Sequence, residues 1–181
     1  MASLKGAAAS NRRVDLRDQL WPESRAWVAE KGFFQAPRTL PLLMSLISSK
    51  EISGKKDAST AYFELWARNW GEGIVEITDE HDHAFAAGYE GTRALRTWRE
   101  RIYLLEKAGF IKIAPIGGRQ VGAILLVHPQ DVLDKLRADG RIKDNWWNAY
   151  VVRKTKTGDN AQPAVIDEKP KIVRLKAARK P

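Results

Sequence analysis

Apolar residues in the first third of the chain recur at helical spacing. Leucine, methionine and isoleucine fill most positions from 39 to 48, and Pro41 stands where the first turn of a helix tolerates proline. The pattern predicts a buried helix there and a shorter helix over 18–36. A polar loop is expected at 50–57, followed by a helix that Ser59 would cap and that ends before Gly71.

The middle of the chain alternates between strand-like and helical patterns. Ile74, Val75 and Ile77 predict a short strand, and Thr78 or Asp79 would cap a helix that ends near Gly88. A long helix is predicted over 92–108, with Thr92 as its cap. Gly109 would end it, because glycine readily takes the left-handed conformation at a helix C-terminus.

The pattern then changes to a hairpin. Residues 110–113 and 121–127 predict two strands joined by a turn at Gly117-Gly118. A helix is expected from Pro129 to Ala138, and residues 145–153 predict a last helix or strand packed on the domain. The sequence therefore predicts a mainly α fold with a small β-hairpin.

Charge is unevenly distributed along the 181 residues. Lys and Arg number 31 and Asp and Glu 22, for a net charge of +9. Residues 1–17 carry a net +3, residues 153–181 a net +6, and the stretch between them balances to zero. We expect a flexible basic arm over 1–17, a domain over 18–154 and a disordered basic tail over 155–181. Basic ends on a neutral domain favour a polyanionic partner.

Several functional classes find no support in the sequence. The chain has no cysteine, no apolar run long enough to cross a membrane and no Gly-rich phosphate loop, and its N-terminal residues are not expected to act as a secretory signal. His81 and His83 flank an aspartate, but on a helix these positions diverge, so no metal site is expected. No catalytic motif stands out. We therefore expect a cytoplasmic protein that is not an enzyme, with no cofactor, no small-molecule ligand and no membrane partner.

Residues 59–127 resemble a winged helix-turn-helix domain in the order of their predicted elements. The resemblance rests on residues 74–78, 84–89 and 92–98 and on the run Leu104–Ile111, a leucine pair, charged residues, Gly109, an aromatic and isoleucine. It implies a winged helix with extra flanking helices that binds double-stranded DNA. Helix 92–108 would enter the major groove, and the wing at 114–120 would meet the backbone or minor groove.

The helical wheel separates a buried and an exposed face of this helix. Leu95, Trp98, Ile102 and Leu105 form the buried stripe. Arginines opposite the stripe can bridge guanine or clamp phosphate, although arginines on a helix are often only solvated charge. The candidate DNA-binding residues are Thr92, Arg93, Arg96, Thr97, Arg99, Arg101, Tyr103, Lys107 and Arg119.

Two roles remain open within this class: a transcriptional regulator, or a plasmid replication or maintenance protein, associated with nucleoid or plasmid. The alternative is a protein-interaction module, because residues 91–119 carry a net +5 whereas residues 72–90 hold six acids and no Lys or Arg. A homodimer is a further candidate, since one recognition helix reads only a few base pairs. Core packing is expected for Trp66, Trp70 and Trp98, whereas one of Trp146-Trp147 would cover an interface.

Overall fold

The computed structural model describes residues 11–12, 14–16, 18–20, 34 and 36–157. The chain divides into two compact units, Met1–Phe33 and Phe34–Pro181. In the first unit the described residues are helical, including those before 17, where a flexible arm is predicted. The rest of that arm, most of the helix predicted over 18–36 and the tail beyond 157 lie outside the described residues.

The described part of the second unit is mainly helical and contains a small antiparallel sheet. The predicted fold class, mainly α with a small β part, is thereby confirmed. Its elements in chain order are α1 (Leu40–Ile47), α2 (Lys50–Ser53), α3 (Ser59–Arg68), β1 (Ile74–Glu76), α4 (Glu80–Ala86), α5 (Ala94–Ala108), β2 (Ile111–Ile116), β3 (Arg119–Leu126), α6 (Pro129–Ala138) and α7 (Asp144–Thr157).

The connection between α1 and α3 differs from the predicted polar loop. Residues Lys50–Ser53 form the short helix α2, because Ile52 and Ser53 are buried against the domain. Ser59 is the first residue of α3 rather than its cap. The Asp57 carboxylate accepts a hydrogen bond from the Ser59 amide at 2.8 Å, so the aspartate satisfies one of the free N–H groups at the start of α3.

Helices α4 and α5 begin and end close to the predicted positions. Asp79 caps α4 by accepting from the His81 amide at 2.8 Å. Gly109 ends α5 with a φ of 88°, the left-handed conformation expected of it. Thr92 does not cap α5: the N-cap position is Arg93, and it makes no side-chain capping bond.

The sheet has the strand order β1-β3-β2, with both pairs antiparallel. β2 and β3 form the predicted hairpin, and Gly117 and Gly118 take positive φ angles at its turn. The register shifts between Ala114 and Ile116, where a bulge interrupts the pairing. β1 lies on the other side of β3, so the strand before α4 joins the hairpin that follows α5.

One apolar core joins most of these helices to the inner face of the sheet. Trp98, Tyr62 and Phe110 are fully buried at its centre, and the Tyr62 and Phe110 rings meet edge to face at 5.4 Å. Trp66 packs partly buried against it, whereas the prediction for Trp70 was wrong: 92% of this residue is exposed.

Residues 145–153 are helical and belong to α7, which packs through Tyr150. The rings of Trp146 and Trp147 both contact Tyr150, at centroid distances of 5.5 and 5.8 Å. Arg137 covers Trp147 at 4.3 Å from its centroid. Both tryptophans are thus half-buried within one cluster, because Tyr150 lies three and four residues further along the same helix.

Candidate nucleic-acid interface

Helix α5 turns one face to the core and the opposite face to solvent. Trp98, Ile102 and Leu105 are fully buried, and Leu95 is half-buried beside them. This is the stripe that the helical wheel predicts.

The solvent face of α5 carries exposed Arg93, Arg96, Tyr103 and Lys107, with Thr97 half-buried. Thr92 is exposed just before the helix. Within the part of the chain that the structure describes, the side chains of Arg93 and Lys107 make no hydrogen bond or ion pair. Their charged groups are therefore available to a partner.

Glu100 lies at the middle of this face, and three positively charged side chains lie close to its carboxylate. Its carboxylate lies 2.9 Å from Lys56 Nζ, 3.3 Å from Arg96 Nε and 3.6 Å from the Arg101 guanidinium. The hydrogen bond from Lys56, followed by the contact with Arg96, lowers the pKa of Glu100 below its ordinary value. The side chain of Arg96 is nevertheless 82% exposed, so most of it faces solvent.

Arg101 is not part of the exposed face. Only 16% of its side chain is exposed, and its Nε donates to the Asp57 carbonyl at 2.9 Å. The guanidinium therefore joins α5 to the turn before α3. This placement suits a structural contact better than the predicted contact with DNA.

Arg99 and Arg119 lie on the hairpin side of α5, where both have protein partners. Arg99 Nε donates to Glu80 at 2.7 Å, and Arg119 donates to the Thr78 carbonyl at 3.1 Å. These bonds hold the turn of the hairpin and the start of α4 beside α5. Arg99 and Arg119 are therefore less available than Arg93 and Arg96.

Two open grooves flank the exposed face of α5. The hairpin-side groove, of about 670 Å³, is lined by residues that include Asp79, Glu80, Arg99, Arg119 and Gln120. The loop-side groove, of about 610 Å³, lies between α5 and the segment before α3, and its lining includes Gly54, Lys56, Glu100, Lys107 and Arg141. Tyr103 lines both grooves. Helix α5 thus stands as a ridge between two depressions.

The acids of residues 72–90 are partly used inside the protein. Asp79 caps α4, Glu80 pairs with Arg99, and Asp82 pairs with Arg68 at 2.7 Å. The acidic character of α4, which is unexpected beside a helix predicted to bind DNA, is explained in part by these contacts. Glu72, Glu76 and Glu90 remain exposed.

A partly buried polar network joins α3 to α4. Glu64 and His83 are both buried, and the His83 Nδ1 lies 3.0 Å from the Glu64 carboxylate. Arg68 bonds both Glu64 and Asp82 at 2.7 Å. Burial alone would lower the pKa of Arg68, but the bond to Asp82 and the charge of Glu64 outweigh it and raise that pKa.

The network explains His83 as a structural residue. His81 is exposed, and in the described ranges no group of three or more His, Cys, Asp or Glu is arranged to hold a metal ion. The pairing of Glu64 with Arg68 has a sequence signal, since the two are four residues apart on one helix. The contact with His83, from another helix, has none.

Comparisons of the chain with protein-family models, curated proteins and solved structures returned no match. Across the described residues, no helix combines the length and the apolar character needed to cross a bilayer.

Proposed function

We propose that this protein binds double-stranded DNA through a winged helix-turn-helix domain. The order α3, β1, α4, α5, β2, β3, with a three-stranded antiparallel sheet, supports the proposal because this domain type has that order. In the proposed complex, α5 lies in the major groove and the turn of the β2–β3 hairpin lies beside it.

The proposal rests mainly on the exposure of Arg93 and Arg96 and on how few partners they have within the protein. Both are exposed at the N-terminal end of α5, which is the end that reaches base edges when a helix enters a major groove. Arg93 is unpaired among the described residues, and Arg96 contacts only Glu100 there. Each can present a guanidinium fork to guanine O6 and N7 or to a phosphate.

A mobility-shift titration with random-sequence duplex DNA tests the proposal. Wild-type binding should weaken steeply as salt increases, because binding releases condensed counterions. Replacing both residues, Arg93→Ala with Arg96→Ala, should weaken binding about tenfold or more, because hydrogen bonds made by charged groups contribute about 1.5–3 kcal/mol each.

A matched variant, Lys112→Ala with Lys135→Ala, also removes two exposed cations but from outside this face. Its affinity should stay close to that of the wild type. Equal binding by the arginine variant and the wild type at low and high salt would rule out this docking mode.

Two exposed aromatic residues favour a second candidate, a protein-interaction module. Trp70 is 92% and Phe85 71% exposed, and the exposed acids Glu72, Glu76 and Glu90 lie in the same stretch of chain. Large exposed aromatic side chains are typical of protein interfaces. Absence of salt-dependent DNA binding by the wild type would favour this candidate.

A further inference from the structure

The loop-side groove has an excess of positive charge that the hairpin-side groove lacks. Lys56, Lys107 and Arg141 line it with one carboxylate, that of Glu100. In the hairpin-side groove, by contrast, Arg99 and Arg119 are matched by Asp79 and Glu80. An anion that lies along α5 would therefore be attracted to the loop side.

The cations of the loop-side groove are held in place from outside α5. Lys56 is 56% exposed and is positioned by its bond to Glu100. Arg141 donates to the Glu51 carbonyl at 2.8 Å, and Lys143 bonds the Glu51 carboxylate at 2.7 Å. These two contacts hold the segment between α6 and α7 against α2. The guanidinium of Arg141 is thus fixed beside the groove before any ligand arrives.

The dimensions of duplex DNA suggest what this groove accommodates. A helix with its side chains is about 10–12 Å across, and the major groove is about 12 Å wide. A helix in the major groove therefore has a sugar–phosphate backbone along each side. The grooves beside α5 are where the two backbones would lie.

We propose that the loop-side groove holds one DNA backbone, with Lys56, Lys107 and Arg141 on its phosphates. This inference rests on the proposed function and adds a phosphate site whose residues lie partly outside 59–127. Among the described residues, Glu100 is the one carboxylate in the lining of this groove, and the three cations outnumber it, so the groove keeps a net positive charge for phosphate. The resulting contact with the DNA backbone is asymmetric, because it is stronger on the loop side of α5 than at the hairpin.

The test measures fluorescence anisotropy of a labelled short duplex over a range of salt concentrations, for two unrelated sequences. Lys56→Ala with Lys107→Ala should reduce the slope of log K against log salt by about one unit per lysine. Affinity should fall by the same factor for both sequences. The variant Lys112→Ala with Lys135→Ala should keep the wild-type slope.

The single variant Lys107→Ala is a control for misfolding, because the Lys107 side chain makes no hydrogen bond or ion pair among the described residues. It should lose about one unit of slope with an unchanged thermal transition. A wild-type slope in the lysine variants, or a loss confined to one duplex sequence, would overturn the inference and leave the proposed function standing. Wild-type protein that shows no salt-dependent duplex binding would overturn both.

Discussion

Single residues show what periodicity captures and what it misses. Trp98 lies on the predicted buried stripe of α5 and is fully buried, whereas Trp70 is almost fully exposed. The difference arises because α3 ends at Arg68, so Trp70 no longer follows the helical pattern. The Asn69 side chain then accepts hydrogen bonds from the amides of Gly71 and Gly73 and fixes an irregular turn.

Tyr62 provides a pH-dependent test of the core. Burial raises the pKa of its hydroxyl from the ordinary 10.0 to about 12. The unfolded chain therefore loses this proton first, and folding stability is retained below pH 10 and lost as the pH rises towards about 12. Two pKa units correspond to about 3 kcal/mol of unfolding free energy.

Tyr62→Phe should remove this alkaline loss and change stability at neutral pH by less than about 1 kcal/mol. Urea unfolding at neutral pH and between pH 10 and 12 measures both effects. Tyr103→Phe, at an exposed tyrosine, is the matched control and should keep the wild-type pH profile. A profile for Tyr62→Phe that parallels the wild type would contradict the assigned role of the buried hydroxyl.

At the scale of elements, the backbones of β2 and β3 approach closely at Gly122, which the positions of the glycines in the sequence do not reveal. Gly122, in the middle of β3, is buried, and a Cβ there would overlap the backbone nitrogen of Ile116. The neighbouring bulge between Ala114 and Ile116 brings that backbone across. Gly117 and Gly118, by contrast, lie in the turn with positive φ and open space around them.

Gly122→Ala should therefore destabilise the domain by about 1–3 kcal/mol, the usual cost of overpacking. Gln120→Ala, at an exposed position of the same strand, should change stability by less than about 0.5 kcal/mol. Chemical denaturation of both variants makes the comparison. Equal stabilities would mean that β2 moves aside without strain.

Local signals predicted the elements well where a single segment determines the structure. Helix α1, strand β1 and the ends of α4 and α5 depend on apolar spacing, Asp79 and Gly109, all of which can be read in sequence. Helix α2 was missed because its four residues carry little periodicity and are helical through the burial of Ile52. Ser59 and Thr92 have residue types typical of caps, but neither caps its helix, because a nearby aspartate or the backbone alone satisfies the helix start.

At the scale of the whole molecule, the sequence predicts which face of α5 is exposed. It does not predict which charged side chains of the candidate site already have partners within the protein. The orientation of α5 follows from its apolar stripe. The partners of Arg99, Arg101 and Arg119 lie 19, 44 and 41 residues away, so no local pattern reveals that these arginines are engaged. Lys56 and Arg141 are also far from α5 in sequence, so the sequence pattern does not reveal that the fold places them beside this helix.

The positive charge of the chain is divided between the described domain and the C-terminal segment that follows it. Residues 158–181 carry six cations and three acids, whereas Arg153, Lys154 and Lys156 belong to α7. If the proposed DNA binding holds, deletion of 158–181 should weaken binding to all duplex sequences alike and reduce the salt slope. Preference among sequences should persist, because Arg93 and Arg96 remain. Anisotropy titrations of the truncated and full chains on preferred and random duplexes measure both quantities, and loss of preference on truncation would place sequence reading in the tail instead of α5.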